Sequence, residues 1–313
     1  MKKIFPVIVL LIAYPLVMSA LDNLFYVSFA SRVLIYAIAA TSLNLVLGYG
    51  GMISFGHAAF VGTGAYVASI LLAEGVTSAW IGWPAAVAVS ALAALAIGAV
   101  SLRTRGVYFI MITLAFTQML YYLGLSLEVF GGDDGMRLKA RSAFPLVDLR
   151  DPVTLYYVAL VLMLSSVFLI FKISNSRFGM VLRATKSNEA RSRAIGFSPY
   201  PYRLAAFAIS GAMCGLAGAL YANHTNYITP GLMSWLQSGD LMFMVILGGI
   251  GTAPGPVLGA FAFILLEELL KSLLGLKSQD WAEHWALLMG PLLVLSVIFF
   301  RRGLAGLVSR EHG

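Results

Sequence analysis

Long apolar runs, separated by short polar or glycine- and proline-containing breaks, extend over nearly the whole chain. A helix that crosses a lipid bilayer needs about 20 mostly apolar residues. Dividing the sequence at its breaks on that basis predicts about ten spanning helices, at residues 4–21, 30–48, 53–73, 80–101, 107–127, 153–172, 204–222, 240–252, 256–275 and 284–300. We therefore predict an all-α polytopic membrane protein in which residues 1–313 form a single transmembrane domain.

One stretch, at about residues 173–203, interrupts the apolar character with a sustained basic segment. Apolar residues at helical spacing within 178–182 predict a first short helix. A second helix should follow, because Ser187 or Asn188 can cap its start and Gly196, followed by prolines, can end it. We call residues 173–203 the finger and expect it to point at a soluble partner. The same composition also fits a basic connector that lies on anionic lipid headgroups.

The distribution of basic residues predicts the orientation of the chain. Basic residues close to membrane spans mark the cytoplasmic side. Ten spans with a cytoplasmic N-terminus place most of the basic residues, including those of the finger, inside the cell. We therefore expect both termini to be cytoplasmic and residues 128–152 to form the main external loop.

The composition excludes several classes of protein. Hydrophobic residues make up 60% of the chain and charged residues only 11%, whereas soluble domains carry roughly 25% charged residues. The net charge of +7 comes from basic residues beside apolar runs, so it indicates membrane topology and not a nucleic-acid partner. A single cysteine, Cys214, leaves no intrachain disulfide and no cysteine-based metal site.

Polar residues inside the predicted spans are few, and such groups usually face the bundle or a water-filled path. The candidates for a substrate pathway are Asn44, Ser54, His57, Thr113 and Gln118. A lone histidine such as His57 is more typical of a hydrogen-bonded structural residue than of a proton relay. Glu267 and Glu268 have no basic partner in any predicted span, and we interpret them as structural pairs near the external end. No catalytic arrangement of residues is present, so we expect neither an enzyme nor a bound cofactor.

Two glycine-rich stretches, at residues 47–66 and 247–259, are not phosphate-binding loops, because no strand precedes them and no Lys-Ser/Thr pair follows. They fit either discontinuous helices that line a cavity or close helix packing at simple turns. Gly248 and Gly249 are pathway candidates under the first interpretation. A separate stripe of small residues on the seventh span predicts close packing and a central position for that helix. Its members are Gly211, Gly215, Gly218 and Ala222.

Five segments carry a resemblance to a known family. They lie at residues 48–66, 105–119, 130–136, 176–221 and 244–260 and together extend over most of the chain. In these segments the chain resembles the inner-membrane permease of branched-chain amino acid ABC importers, the LivM-type subunit. The resemblance implies an ABC importer permease fold with a cytoplasmic coupling helix, in a bacterial or archaeal cytoplasmic membrane.

The resemblance also implies partners and a role for the finger. The partners would be a second, LivH-type permease, two cytosolic ATPase subunits that use ATP, and a periplasmic or lipid-anchored solute-binding protein. The finger would dock on an ATPase through the residues Arg183, Asn188, Glu189, Ala190, Arg191 and Gly196. The chain departs from the importer docking motif at Arg191, where the motif has alanine, and in a Glu-to-Gly spacing that is one residue longer.

Other functions remain open from the sequence. Related permeases carry urea or short-chain amides, and no residue pattern separates those substrates from aliphatic amino acids. An ion-coupled secondary transporter would need ionisable groups at mid-membrane, and the chain offers few.

Overall fold

The computed structural model describes residues 4–138, 141–144, 148–275, 284–299 and 303–306, so the chain ends and parts of the predicted external loop lie outside the described residues. The fold is mostly helical. Its α-helices are α1 (Ile4–Ala20), α2 (Leu24–Asn44), α3 (His57–Ala73), α4 (Ala79–Ser101), α5 (Val107–Ser126), α6 (Pro152–Ser174), α7 (Arg177–Ser187), α8 (Glu189–Ala194), α9 (Pro199–Thr225), α10 (Trp235–Gly248), α11 (Gly255–Gly275) and α12 (Trp285–Phe299). Short 3-10 turns lie at Glu128–Phe130, Gly132–Asp134 and Pro230–Met233.

Within the described residues, five helical segments are long and apolar enough to cross a bilayer, by length and composition alone. They are Leu24–Tyr49, Ala79–Ser101, Val107–Ser126, Pro152–Ser174 and Pro199–Thr225. The first is longer than α2 because α2 runs directly into a π-helical turn at Leu45–Tyr49. Such π-helical turns are rare, and they occur frequently at functional sites.

A small antiparallel sheet is the exception to the predicted all-α fold. Strand β1 (Met136–Arg137) pairs with β2 (Tyr227–Ile228), with Met136 opposite Ile228. The sheet joins the predicted external loop to the chain that follows α9. We call this side of the bundle the loop end and the side that carries α7 and α8 the finger end.

Helix α9 is the centre of the bundle, and it packs against α2, α3 and α4. The predicted stripe of small residues makes these contacts. A Cβ atom added at Gly211 would collide with the side chain of Ala94, and one at Gly218 would collide with the carbonyl oxygen of Val61. The backbones of α9 and its neighbours are therefore as close as glycine allows, which is the packing that small residues permit in membrane helices.

Two of the predicted spans contain short helices, of 17 residues in α3 and 14 residues in α10, and we call these two the short helices. The span expected at 53–73 is helical from His57 onward, and residues 50–56 form an irregular segment that we call the extended segment. The span expected at 240–252 is α10, which starts earlier and has 14 residues, or roughly 21 Å of helix. Before α10 the chain returns into the bundle, where Met233 occupies the space beside Gly62 of α3.

One expectation about charges is wrong. Glu267 on α11 does have a basic partner inside a helix, because Arg32 of α2 lies 3.0 Å from its carboxylate. Lys271, one turn further along α11, pairs with the same carboxylate. A carboxylate that is only 9% exposed requires such partners, since an unpaired buried charge is costly. The structural interpretation of Glu267 holds, with a partner that sequence reasoning did not find.

Gly218→Ala should destabilise the fold, because the added methyl group meets the backbone of α3 and not a flexible side chain. Overpacking of this kind typically costs about 1–3 kcal/mol. We expect a lower melting temperature and a lower yield of monodisperse protein in detergent. Gly82→Ala is the matched control, since nothing lies within 4 Å of its added Cβ. Equal behaviour of the two variants would contradict close packing at Gly218.

Candidate functional site

The N-terminal ends of the two short helices, α3 and α10, meet inside the bundle. The hydroxyl of Ser238, in the first turn of α10, donates to the carbonyl oxygen of Phe55 at 2.6 Å and accepts from the amide of Ala58 at 3.0 Å. The rings of Phe55 and Trp235 are 6.5 Å apart. We call this meeting point the junction. Helix N-termini carry partial positive charge, so the electrostatics of the junction favour an anionic group.

The backbone of the extended segment is held by side chains of neighbouring helices. The amide of Phe55 donates to the hydroxyl of Thr113 at 3.2 Å. Its carbonyl oxygen accepts from Thr117 at 2.9 Å and from Ser238 at 2.6 Å. We call Thr113, Thr117 and Ser238 the Phe55 clamp. They supply the partners that non-helical backbone needs where water is excluded.

Two pathway candidates therefore have structural partners. Ser54 is fully buried, and its hydroxyl accepts the amide hydrogen of Gly56 at 3.1 Å. Thr113 is also fully buried and belongs to the Phe55 clamp. These hydroxyl groups hold the start of α3 in place.

His57, the first residue of α3, is fully buried. Its Nε2 lies 2.9 Å from the hydroxyl of Ser210, which itself donates to the carbonyl of Ser42 at 2.7 Å. Because the hydroxyl proton of Ser210 is already donated to Ser42, Nε2 of His57 must carry a proton and donate it to the Ser210 oxygen. The ring packs edge-on against Phe60 and Phe207. This environment is that of the hydrogen-bonded structural histidine favoured from the sequence.

Asn44 connects the two glycine-rich stretches. Its amide group donates to the carbonyl of Thr252 at 2.8 Å and accepts from the amide of Gly251 at 2.8 Å. The second stretch is the turn between α10 and α11, where Gly249 has a φ of 120° that side chains rarely adopt. A Cβ at Gly248 would collide with the backbone of Gly255. Close packing and a tight turn thus explain this stretch.

Gln118 resembles His57 in one respect: its side-chain oxygen, like Nδ1 of His57, is buried without a hydrogen-bond partner in the described part of the chain. It lies on α5, one residue after Thr117 of the Phe55 clamp. Around the junction the surface is apolar and exposed. Ile53 is 44% exposed, Trp235 41% and Leu236 60%. The junction therefore borders an open face of the chain that α5 and α10 form.

The finger is folded as predicted, as two helices with a cap between them. The side chain of Asn188 accepts the amide hydrogen of Arg191 at 2.9 Å and starts α8. Gly196 follows α8 with a φ of 91°, which ends the helix. The predicted docking residues Arg183, Ala190 and Arg191 are exposed. They are accessible to another protein.

Glu189 is the best-connected residue of the finger. Its carboxylate accepts from Arg105 at 2.6 Å, Arg193 at 2.8 Å and Arg203 at 2.9 Å. Burial raises the pKa of Glu189, but the nearby guanidinium groups, Arg203 first, outweigh it and hold the pKa below its ordinary value. The cluster ties the finger to the turn after α4 and to the start of α9. Sequence reasoning missed these contacts, since Arg105 is 84 residues away along the chain.

A second contact joins the finger to the extended segment. The ammonium group of Lys186 donates to the carbonyl oxygen of Gly48 at 2.7 Å, and its alkyl chain lies over Gly51. Gly48 belongs to the π-helical turn, whose last carbonyls are free to accept a cation. The extended segment starts two residues later. A displacement of α7 would therefore act directly on the chain that leads into the junction.

The geometry of the junction is suited to binding a small molecule, and the contacts of the finger connect it mechanically to the junction. No group of three or more His, Cys, Asp or Glu residues that could hold a metal ion is present among the described residues. The junction combines helix N-termini with an apolar wall, and the finger combines exposed docking residues with contacts that reach the junction.

Comparisons with known proteins identify the relatives of the chain. The profile of the family described as branched-chain amino acid transport system / permease component matches residues 25–297. The chain is 30% identical over 321 residues to the high-affinity branched-chain amino acid transport system permease protein LivM of Salmonella typhimurium, which covers 95% of this chain and 73% of the relative. The LivM protein of Escherichia coli is 30% identical over 329 residues, covering 97% of this chain and 75% of the relative.

A more distant relative shows the breadth of the family. The autoinducer 2 import system permease protein LsrC of Yersinia pseudotuberculosis is 29% identical over 198 residues, covering 61% of this chain and 53% of the relative. No solved structure matches the chain.

Thr113→Val should destabilise the start of α3, because it preserves the shape of the side chain but leaves the amide of Phe55 unpaired. A buried donor without a partner costs about 1–3 kcal/mol. The measurement is the melting temperature of the protein in detergent. Thr63→Val is the control, since the Thr63 hydroxyl bonds only to the carbonyl of Ala59 within its own helix. A loss that is no larger at Thr113 than at Thr63 would show that the clamp does not hold the segment.

Proposed function

The chain belongs to the family of branched-chain amino acid transport permease components, and on that premise we propose that it is the permease subunit of an ATP-driven ABC importer for branched-chain, aliphatic amino acids. It is a multi-pass membrane protein, and we place it in a bacterial or archaeal cytoplasmic membrane. ATP would be hydrolysed by separate partner subunits. The observation that carries the proposal is the contact of Lys186 with Gly48, because it links the exposed finger to the junction.

The proposal includes a topology of ten spans with both termini and the finger in the cytoplasm. The short helices α3 and α10 would each complete a span together with the chain before it. Support comes from the basic residues of the finger, which favour the cytoplasmic side. Irregular backbone at membrane depth is tolerated where it is buried or lines a cavity, and the Phe55 clamp meets that condition.

The junction suits a small zwitterion with an aliphatic side chain. The N-terminal ends of α3 and α10 would favour its carboxylate, as helix ends do in other transporters. Trp235 and Leu236 would contact its side chain through their exposed apolar surface. These features favour an aliphatic amino acid over urea, although both would use the same architecture.

A second, LivH-type permease would cover the open face. Only 22% of the 18-residue apolar stretch of α5 is buried within this chain, compared with 61% of the corresponding stretch of α9. Its exposed residues include Tyr108, Met111, Met119 and Tyr122. Aromatic and methionine residues are enriched at protein interfaces. The path would then run between the two permeases, with the junction on the side of this chain.

Coupling to ATP follows from the contacts of the finger. An ATPase that docks on Arg183, Ala190 and Arg191 would move α7 and α8 when it closes. The Glu189 cluster would carry that motion to the start of α9, and Lys186 would carry it to the extended segment. Coupling of transport to ATP requires the substrate to interact differently with the two states of the junction.

A different cargo is the second candidate, because the relative LsrC is named as a permease of another import system. Urea or a short-chain amide would use the same helices and finger. An ion-coupled transporter is less well supported. The charged residues Arg32, Glu267 and Lys271 are paired with one another within the bundle, so they are not free to couple an ion.

Purification of the tagged chain from its native membrane, followed by reconstitution into liposomes with its solute-binding protein, tests the proposal. We expect a second permease and ATPase subunits to accompany the chain. Uptake of leucine should require ATP and should be competed by isoleucine and valine but not by urea. Uptake by the chain alone without ATP would indicate a secondary transporter, and competition by urea would indicate the alternative cargo.

Lys186→Met should uncouple ATP hydrolysis from transport. It retains the alkyl chain over Gly51 but removes the donor to Gly48. For a partly exposed charged donor we expect a loss of about 1 kcal/mol, or roughly fivefold in uptake per ATP hydrolysed. Lys172→Met is the control, since Lys172 is an exposed lysine at the end of α6. Unchanged coupling in the Lys186 variant would remove this contact from the mechanism.

A further inference from the structure

A cleft with a volume of about 170 Å³ lies between the finger, the extended segment and the turn that joins α4 to α5. One wall of the cleft is charged and consists of Arg105, Glu189 and Arg203. The opposite wall is apolar and consists of Met52, Ile53, Leu102, Phe109 and Ile110. None of the pathway candidates identified from the sequence lies in it.

The cleft lies next to the junction, on the side of the finger end. Ile53 lines the cleft and is only two residues from Phe55, which the clamp holds at the junction. On α5, the carbonyl of Ile110, another lining residue, accepts the hydroxyl of Thr113 at 2.9 Å. A molecule that leaves the junction toward the finger end would therefore reach the cleft within one helical turn.

The charged wall has cationic groups in excess. Two guanidinium groups that line the cleft, those of Arg105 and Arg203, bind the single carboxylate of Glu189. The Nε atom of Arg203 is buried without a hydrogen-bond partner among the described residues. Arg105 is 64% exposed, so its ion pair with Glu189 is screened by water and can exchange readily. An incoming carboxylate would accept from the unpartnered Nε of Arg203 and from Arg105, whose ion pair with Glu189 exchanges readily.

We propose that this cleft is an exit subsite for a zwitterionic aliphatic amino acid. Arg105 and Arg203 bind its carboxylate, Glu189 accepts from its ammonium group, and the wall around Ile53 and Phe109 contacts its side chain. The proposal rests on the proposed function and extends it, because it assigns a binding site on the cytoplasmic side. The phosphate of a lipid headgroup shares the anionic chemistry, and the experiment separates the two sources.

Ile53→Cys provides a direct test in the purified complex in nanodiscs. The native Cys214 is fully buried, so a polar maleimide should label the introduced thiol of this chain, as followed by intact mass. L-Leucine at about ten times its dissociation constant should slow labelling about tenfold, by mass action. Leucinamide, which lacks the carboxylate, should protect much less. Arg103→Cys, on an exposed residue of the same turn, should label without protection.

Arg105→Gln removes one of the two proposed carboxylate ligands. In the Ile53→Cys background this change should abolish protection by leucine, whereas Arg103→Gln should retain it. Protection that is absent in a complex that still imports leucine with ATP would overturn the exit subsite and leave the proposed function intact. Labelling that depends on anionic lipid and ignores leucine would assign the cleft to a headgroup and also overturn it. Absence of ATP-dependent uptake together with intact protection would instead contradict the proposed function.

Discussion

Non-helical backbone inside an apolar bundle needs hydrogen-bond partners, and much of this structure depends on the partners of Phe55. Its amide and carbonyl groups bond to hydroxyls of Thr113, Thr117 and Ser238. These three residues lie on two different helices, so the clamp also sets the position of α10 relative to α5. Without the clamp, the backbone of Phe55 would lack partners in its non-helical form. The start of α3 at His57 and the meeting of the two helix N-termini therefore depend on the clamp.

The same region is joined to the finger by few but specific contacts. Lys186 reaches the π-helical turn at Gly48, and Asn44 connects the end of α2 to the turn after α10. Both short helices are therefore tied to chain segments near the finger. In the proposed coupling, a movement of α7 would reach the junction through the contact of Lys186 with Gly48. Packed helices of this kind change position as units and do not deform continuously.

Two carboxylates, Glu267 and Glu189, are each paired with more than one basic residue, and the two clusters have different roles. Glu267 lies between Arg32 and Lys271 near the loop end, where it joins α2 to α11. Glu189 lies at the finger end, where three arginines surround it and one of them is largely exposed. The first pair is suited to a static contact because it is more deeply buried. The second borders a cleft and can exchange partners with a ligand or with a docked protein.

Local sequence determined the helices of this protein, because an apolar run satisfies its own backbone hydrogen bonds as a helix wherever it lies. The stripe around Gly218 and the Asn188 cap could be predicted for the same reason, since helical spacing and capping depend on near neighbours. The starts of α3 and α10 could not, because hydrogen bonds from distant helices decide where those helices begin. Nor could the partners of Glu189 and Glu267, which lie up to 235 residues away. Only the tertiary structure brings those charges together, since the cost of an unpaired buried charge acts in space and not along the chain.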